Sequence, residues 1–345
     1  MKRGRAKIAN VLFTLIIIFN FLSLFSCSEE EFSQENKSHI KSNAELSVRT
    51  ENLNVPSVNF LSVGQGDSAF IIFPDGKTML IDCGEKDDAN FDTISTYIDA
   101  SGANKIDYLV LSHTDSDHTG SAADIIGKYG VITAYIPKVL DERNYTAFQS
   151  AKQELISCGA NIKISAIGER VVADEYFFCF LYPNEDTDYD DLNFGDATAE
   201  EINAVSSILY LDYRGTRFIF TGDADKKSEE KVVKRAKDGV YYIYGKNGFS
   251  VDLNNIDFLK VSHHGGKEEI SDKFYGYLNP QNAVISVGAL NNYGHPSSFT
   301  LAALATVNPE INILRTDVLG SVSVIINSNE KYKIITDYDY GKVDK

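Results

Sequence analysis

From Val58 onward, short apolar runs alternate with stretches of helical spacing. The runs VNFLSV, SAFIIF and TMLID are rich in branched and aromatic residues, and a PDGK turn separates the second from the third, which predicts a hairpin-rich start. NFDTISTYIDAS has helical spacing and stops at Gly102. The pattern continues with strand IDYLVLS, a helix near SAADIIGKYG, strand ITAYI, helix YTAFQSAKQELIS closed by Gly159, and strands around NIKIS and EYFFCFLY. Beyond an acidic loop come strands SSILYLDY and RFIFTG, joined through Arg214 and Gly215, and then helix SEEKVVKRAK. Strand FLKVS, helix ISDKFYGYL, strand NAVISV, helix SFTLAALATV, strand INILR and a final pair, SVSVIIN and KYKIITDY, complete the chain. This order predicts a layered α/β fold with helices covering the sheets, in which ligand groups gather on loops beyond strand ends. No internal repeat is present, which argues against a solenoid.

The first 26 residues are of a different kind. MKRGRAK is basic, IANVLFTLIIIFNFLSLF is apolar, and Cys27 follows shortly after, the order of a secretory signal peptide. Leu24-Phe25-Ser26-Cys27 resembles a bacterial lipobox, so Cys27 is expected to carry lipid as the new N-terminus. An uncleaved transmembrane anchor over the 18 residues Ile8 to Phe25 is the alternative. Either expectation puts the remainder outside the cytoplasm, tethered to a membrane. Residues 27–55 are polar and nearly without aromatics and read as a flexible tether, and SEEE after Cys27 resembles the acidic export tag of surface lipoproteins. Residues 56–345 are expected to form one domain.

Composition narrows the function classes. At 345 residues, 43% hydrophobic and 24% charged, the chain is long enough for one large core. Its net charge is −16, and loss of Lys2, Arg3, Arg5 and Lys7 with the leader makes it −20, so bare nucleic acid is repelled at long range. Cys83 and Cys179 sit in apolar runs and read as core residues, and with Cys158 they leave an odd number that argues against a disulfide framework. NEDTDYDDLNFGDATAEE is like a calcium loop, but counting from Asp186 its sixth and twelfth positions are Asp191 and Ala197, where glycine and glutamate are needed. It reads as an acidic surface loop near the mouth of a site. YYIY, Tyr241 to Tyr244, reads as a strand with one buried face in preference to a base-stacking platform.

The candidate chemistry starts with SHTDSDHTG, where a strand gives way to a helix and His113, Asp115, Asp117 and His118 share one turn. Serine, threonine and aspartate are ordinary turn and cap residues, but that does not account for two histidines. Five of the six histidines fall in SHTDSDHTG, KVSHHGG and NYGHPSS, with His39 alone in the tether. Asp223 in IFTGDAD and His263 with His264 in LKVSHHGG share the strand-end setting. Imidazoles and carboxylates converging from several strand ends suit one or two divalent ions with a position open to water, whose pKa the ion lowers.

In order, the blocks SVGQGDS, LIDCG, LSHTDSDHTG, SSILYLDY, FTGDAD, LKVSHHGG, NNYGHPSS and RTDVLGSV resemble a metallo-β-lactamase-fold hydrolase. The branch is the one found as the C-terminal domain of ComEC competence proteins and as free-standing secreted relatives, and the resemblance runs from about Val58 to about Asp337. It implies an αβ/βα four-layer sandwich in a single domain. It also implies that Asp117, His118 and His263 hold one metal, with Asp223 bridging and His113 at a second position. Asp115 stands where the wider fold has another histidine, and no histidine precedes SSILYLDY, so Asn203 or Ser206 is expected to stand in. The expected cofactor is therefore one or two divalent ions, Zn or Mn, the oxygen-rich second position favouring the harder ion.

Asp82 is expected either to orient a ligand histidine through its free ring nitrogen or to cap a turn. Gly66 permits close backbone approach beside Gln65, and Asp67 either reaches the site or closes a turn. Asp117, His264 and His295 form the expected catalytic group, the histidines donating a proton or binding a phosphate oxygen, although His295 before Pro296 is equally a loop residue. Lys260 and Lys267 flank HHGG and would offset phosphate charge. The implied function is a secreted, membrane-tethered phosphodiesterase or nuclease in which metal-bound hydroxide attacks phosphorus. DNA or a cell-envelope polymer is the expected substrate, with no obligate protein partner. The alternatives are hydrolysis of lactone, thioester or lactam carbonyls, since one fold hosts them all, or a surface lipoprotein that binds an envelope ligand with a vestigial metal site.

Overall fold

A computed structural model describes residues 55–139, 142–189, 192, 196–241, 251–267, 270–327 and 331–338. The expected leader, Cys27 and nearly all of the tether lie outside the described residues. The first half contains β1 (Ser57–Phe60), β2 (Ala69–Ile72), β3 (Thr78–Ile81), α1 (Asp88–Ser101), β4 (Ile106–Val110), α2 (Ser116–Thr119), α3 (Ala122–Tyr129), β5 (Val131–Ile136), α4 (Thr146–Ser157) and β6 (Asn161–Ile164). Next come β7 (Arg170–Val172), β8 (Tyr176–Tyr182), α5 (Ala199–Asn203), β9 (Ile208–Tyr213), β10 (Thr216–Phe220), α6 (Lys226–Lys237) and β11 (Phe258–Lys260). A 3-10 turn (Ser262–Gly265) precedes α7 (Asp272–Leu278), β12 (Asn282–Ile285), α8 (Ser298–Val307), β13 (Asn312–Arg315), α9 (Thr316–Leu319), β14 (Val322–Ile326) and β15 (Tyr332–Thr336).

The strands form two sheets, one ordered β15-β14-β1-β2-β3-β4-β5-β6 and the other β13-β12-β11-β10-β9-β8-β7. Side-chain alternation explains how they stack. Along β8, Tyr176, Phe178 and Phe180 enter the core between the sheets, while Phe177, Cys179 and Leu181 enter the core beneath α6 and α7. On β2, Ile71 faces the inter-sheet core, and Phe70 and Ile72 face the core beneath α1 and α3. Both faces of these strands are buried, which is why the sequence shows continuous apolar runs in place of a polar–apolar alternation. The result is the expected four-layer α/β sandwich.

The helices start where capping groups allow. The Asp87 side chain accepts from Ala89 N at 2.7 Å to begin α1, which Gly102 closes in a left-handed conformation, φ 74°. The acidic loop contains α5, begun by a capping box between Thr198 and Glu201, that the apolar pattern does not predict because only one turn of helix is present. The strand expected at YYIY is not the arrangement at its start: Tyr241 lies in a short 3-10 turn and donates its hydroxyl to Leu181 O at 2.8 Å, and Tyr242 to Tyr244 lie outside the described residues. Among the described residues no helix is long and apolar enough to cross a membrane.

Strands β3 to β6 run parallel, as do β10 to β13. Parallel strands send successive loops off the same end, and this is where Asp82, His113, Asp223 and His263–His264 sit.

Candidate metal centre

Asp82 directly follows β3 and adopts φ 55°, unfavourable for a residue with a Cβ. Three contacts hold it there. Its Oδ1 accepts from Ser112 N at 2.8 Å, its Oδ2 accepts from Ser112 Oγ at 2.7 Å, and the same Oδ2 lies 2.9 Å from His118 Nδ1. A carboxylate only accepts, so His118 donates from Nδ1 and presents Nε2 to Asp223 Oδ1 at 3.2 Å.

His264 is held in the same way by a different partner. Its Nδ1 donates to Ser286 O at 2.9 Å, and its Nε2 lies 3.1 Å from Asp117 Oδ2 and 3.5 Å from Asp223 Oδ2. The turn that carries it is tight: His263 and His264 have φ 48° and 52°. A Cβ on Gly265 would stand 2.8 Å from Pro296 Cβ, so glycine is needed at that approach. Buried Glu229 of α6 closes the turn from behind, accepting from Ser262 Oγ at 2.6 Å and from Ser271 N at 2.9 Å.

One donor atom each from Asp117, His118, Asp223 and His264 lies within 4.8 Å of the others. His118 Nε2 and Asp223 Oδ1 are buried and complete no hydrogen bond among the described residues, as is His113 Nε2 beside them. Buried polar atoms normally find partners. Two imidazoles and two carboxylates so placed, with His118 Nε2 and Asp223 Oδ1 unsatisfied and His264 Nε2 meeting Asp117 Oδ2 at 3.1 Å, fit a divalent cation such as Zn²⁺ or Mn²⁺.

The placement of the two adjacent histidines differs from the expectation. His263 was expected as the ligand, but its Nε2 is 3.8 Å from Asp223 Oδ2 and its ring stands toward the rim, whereas His264, expected as a proton donor, completes the tight quartet. The successive left-handed residues of the turn decide which ring points inward, and a sequence does not display that.

His113 is fully buried with its ring centroid 4.1 Å from that of His118, and its Nε2 is 3.8 Å from Asp115 Oδ2. Asn203 and Ser206 are both buried, and Asn203 Oδ1 and Ser206 Oγ have no hydrogen-bond partner among the described residues. Ser206 Cβ lies 3.4 Å from where a Cβ on Gly222 would stand, which brings it next to the strand end that carries Asp223. Asp67 sits behind both ring systems, its carboxylate 3.3 Å from His264 Nδ1 and 3.8 Å from His118 Nδ1. Its counter-ion is buried Lys260, in direct contact with Asp67 Oδ2 and 3.4 Å from Gly222 O. Lys260 thus neutralises an internal carboxylate and does not face the groove. The close approach expected of Gly66 is to the protein's own backbone: a Cβ there would be 2.4 Å from Asp117 O, to which Asp67 N donates at 3.2 Å.

The electrostatics follow from this packing. Burial opposes charge on His118 and His264, but facing carboxylates outweigh it: Asp223, Asp117, Asp67 and Asp82 hold His118 well above the usual imidazole range, and Asp223 with contacts to Asp117 and Asp67 pushes His264 up to about 10. Asp117 and Asp223 are correspondingly held below the usual carboxylate range, burial being overcome by His118 and His264. Asp115 is pushed up to about 6 by burial and by Asp117, and His113 down to about 3 by burial and by His118. In the metal-free protein, protons on His118 and His264 therefore balance the carboxylates, a role a divalent ion would take over.

The quartet opens into a groove of about 930 Å³ whose lining includes Gln65, Glu85, Asn203, His263, Lys267 and His295. The His295 ring lies 5.6 Å from that of His263 and 6.3 Å from that of His264. Ser112, Ser286 and Glu229 were not singled out from the sequence. Ser112 adjoins the histidine block and was within reach of such reasoning, whereas Ser286 acts through a backbone carbonyl and Glu229 through a distant helix, neither of which leaves a local signal.

Residues 61–288 match the family model of the metallo-beta-lactamase superfamily. The chain is 29% identical over 284 residues to ComE operon protein 3 of Bacillus subtilis, covering 77% of this chain and 32% of that protein. It is 28% identical over 271 residues to competence protein ComA of Neisseria gonorrhoeae, covering 78% of this chain and 32% of that protein. With recombination protein 2 of Haemophilus influenzae it shares 26% identity over 272 residues, covering 77% of this chain and 28% of that protein. The chain thus spans about a third of the length of these relatives. With the four-layer fold and the histidine–aspartate quartet at its strand ends, the chain belongs to the metallo-beta-lactamase superfamily, on the branch that it shares with these relatives.

Proposed function

We propose that the protein is a metal-dependent phosphodiesterase acting outside the cytoplasm while tethered to a membrane through Cys27. The observation that carries the catalytic part is the quartet of half-buried Asp117 and buried His118, Asp223 and His264 at the floor of an open groove. The leader-like N-terminus supports the location, and the names of one relative as a competence protein and of another as a recombination protein are consistent with a nucleic acid among the substrates.

Asp117, His118, Asp223 and His264 would hold the ion, and His113 with Asp115 could hold a second beside it. A divalent ion in such a site supplies Lewis acidity and makes water nucleophilic near neutral pH. The chain's own residues do the rest. Asp82 and Ser286 O fix which nitrogen of His118 and of His264 faces the site. His263 and His295, at the rim, are positioned to hydrogen-bond a phosphoryl oxygen or to protonate the leaving oxygen.

The test is a panel of bis-p-nitrophenyl phosphate, single-stranded DNA, double-stranded DNA and a lactam, offered to chelator-stripped protein with Mn²⁺ or Zn²⁺ restored. Ion-dependent cleavage of the phosphodiesters, faster with Mn²⁺, is expected. Cleavage of the lactam alone, or no turnover by ion-loaded protein, contradicts the reading. Mass spectrometry of the mature protein tests the tether, which intact Met1 contradicts.

A further inference from the structure

Beyond the quartet, the loop between β12 and α8 is built to display side chains to solvent. Asn291 organises it: its Nδ2 donates to Gly288 O at 3.0 Å and to His295 O at 2.7 Å, and its Oδ1 accepts from Tyr293 N at 3.1 Å and from His295 N at 3.0 Å. On this frame Leu290 is 100% exposed with φ 56°, Tyr293 is 72% exposed, and Phe299 just beyond is 62% exposed. Exposed apolar residues scattered singly need no explanation, but three within one ten-residue stretch, of which Tyr293 lines the reaction groove, are not scattered.

The rings are also ordered. His295 is tilted 27° from the plane of His264 at 6.3 Å, and Tyr293 is tilted 30° from His295 at 5.7 Å. The Tyr293 ring thus neighbours the His295 ring, which in turn neighbours the ring of His264 in the quartet. Lys267, which also lines the groove, lies with its ammonium 4.7 Å from the Phe299 ring centroid.

We propose that Tyr293 is a stacking shelf for the base of an unpaired nucleotide beside the scissile phosphodiester, with Lys267 taking a neighbouring phosphate. The proposal rests on the phosphodiesterase reading and narrows its substrate to single-stranded nucleic acid. Tyr293 lines the groove and is exposed enough to take a planar base on its ring, whereas a base inside a duplex has both faces occupied and is not available to it. Charge points the same way. The chain carries −16, and the groove lining sets Glu85, Asp115 and Glu200 against Lys267, so long-range attraction does not hold a polyanion there. Stacking, which is tolerant of base identity, supplies what charge does not, and with Lys267 as the one lysine contacting a phosphate the salt slope is shallow.

The test measures fluorescence anisotropy of a labelled, hydrolysis-resistant phosphorothioate oligothymidylate with the full ion-loaded chain. An abasic strand of equal length and anionic phospholipid vesicles serve as the other probes. The expected result is binding of the base-bearing strand, weakened about tenfold in Tyr293→Ala and restored in Tyr293→Phe, with a shallow salt slope and weaker binding of the abasic strand. Equal binding of base-bearing and abasic strands, a steep salt slope, or Tyr293→Ala losing vesicle binding alone overturns it. Hydrolysis of bis-p-nitrophenyl phosphate, run in parallel on the wild-type protein, separates this outcome from failure of the phosphodiesterase reading. Metal content of both variants, expected to equal wild type, shows that the site is intact.

Discussion

His118 Nδ1 lies 2.9 Å from Asp82 Oδ2, both side chains buried, and this contact turns the other ring nitrogen toward Asp223. Asp82 thus acts on the site without facing it. Replacing it with alanine frees the His118 ring and removes the acceptor of Ser112 N and Oγ. Loss of such an orienting carboxylate costs roughly 10–100-fold in ion affinity. Competition against a chelating dye measures this; unchanged affinity in Asp82→Ala contradicts the role.

The neighbours His263 and His264 make a sharp pair of variants. His264→Ala removes a member of the quartet and is expected to abolish stoichiometric ion binding, while His263→Ala leaves the ion bound and slows turnover. Elemental analysis of the two proteins decides between them. The reverse pattern would restore His263 as the ligand.

Protonation gives a third prediction. In the metal-free protein His264 is held at about 10 against an ordinary 6.5: burial opposes the charge, and Asp223 with the contacts to Asp117 and Asp67 outweighs it. A raised folded-state value means that stability from this proton is fully present below about 6.5 and is lost as pH climbs through about 10. The ion displaces the same proton, so ion affinity rises with pH across that window. Calorimetry in two buffers of different ionisation enthalpy counts the protons released at pH 7, expected to be about one or two. A count of zero contradicts the account.

Glu229 supports a fourth. Its carboxylate fastens both Ser262 and Ser271, the two ends of the segment carrying the histidine turn. Glu229→Ala leaves these buried donors without that acceptor at a cost of about 1–3 kcal/mol each, whereas Glu229→Gln keeps an acceptor for one of them. Urea denaturation ranks the variants, with glutamine expected between alanine and wild type. Equal stability of alanine and wild type would show that the carboxylate holds nothing.

How far these relationships could be read beforehand depended on their range along the chain. The strands at VNFLSV and EYFFCFLY are legible because burial of both faces makes them continuous apolar runs, and the helix at SFTLAALATV because Thr300 and Leu304 repeat at helical spacing. His113, Asp115, Asp117 and His118 are legible because they share one turn. The choice between His263 and His264 is not, since it depends on two left-handed residues, and neither is Lys260, whose charge is buried against Asp67 through a contact spanning most of the domain. The one-turn α5 escaped because a capping box, not an apolar stripe, defines it.

The central claim is that side chains remote in sequence form one cation site. Its most direct test is isothermal titration of Mn²⁺ into the chelator-stripped protein and its Asp223→Ala variant, with folding of both checked by circular dichroism. The account predicts saturable binding of one or two ions to the wild type and its loss in the folded variant. No binding to the wild type, or undiminished binding to the variant, would contradict it.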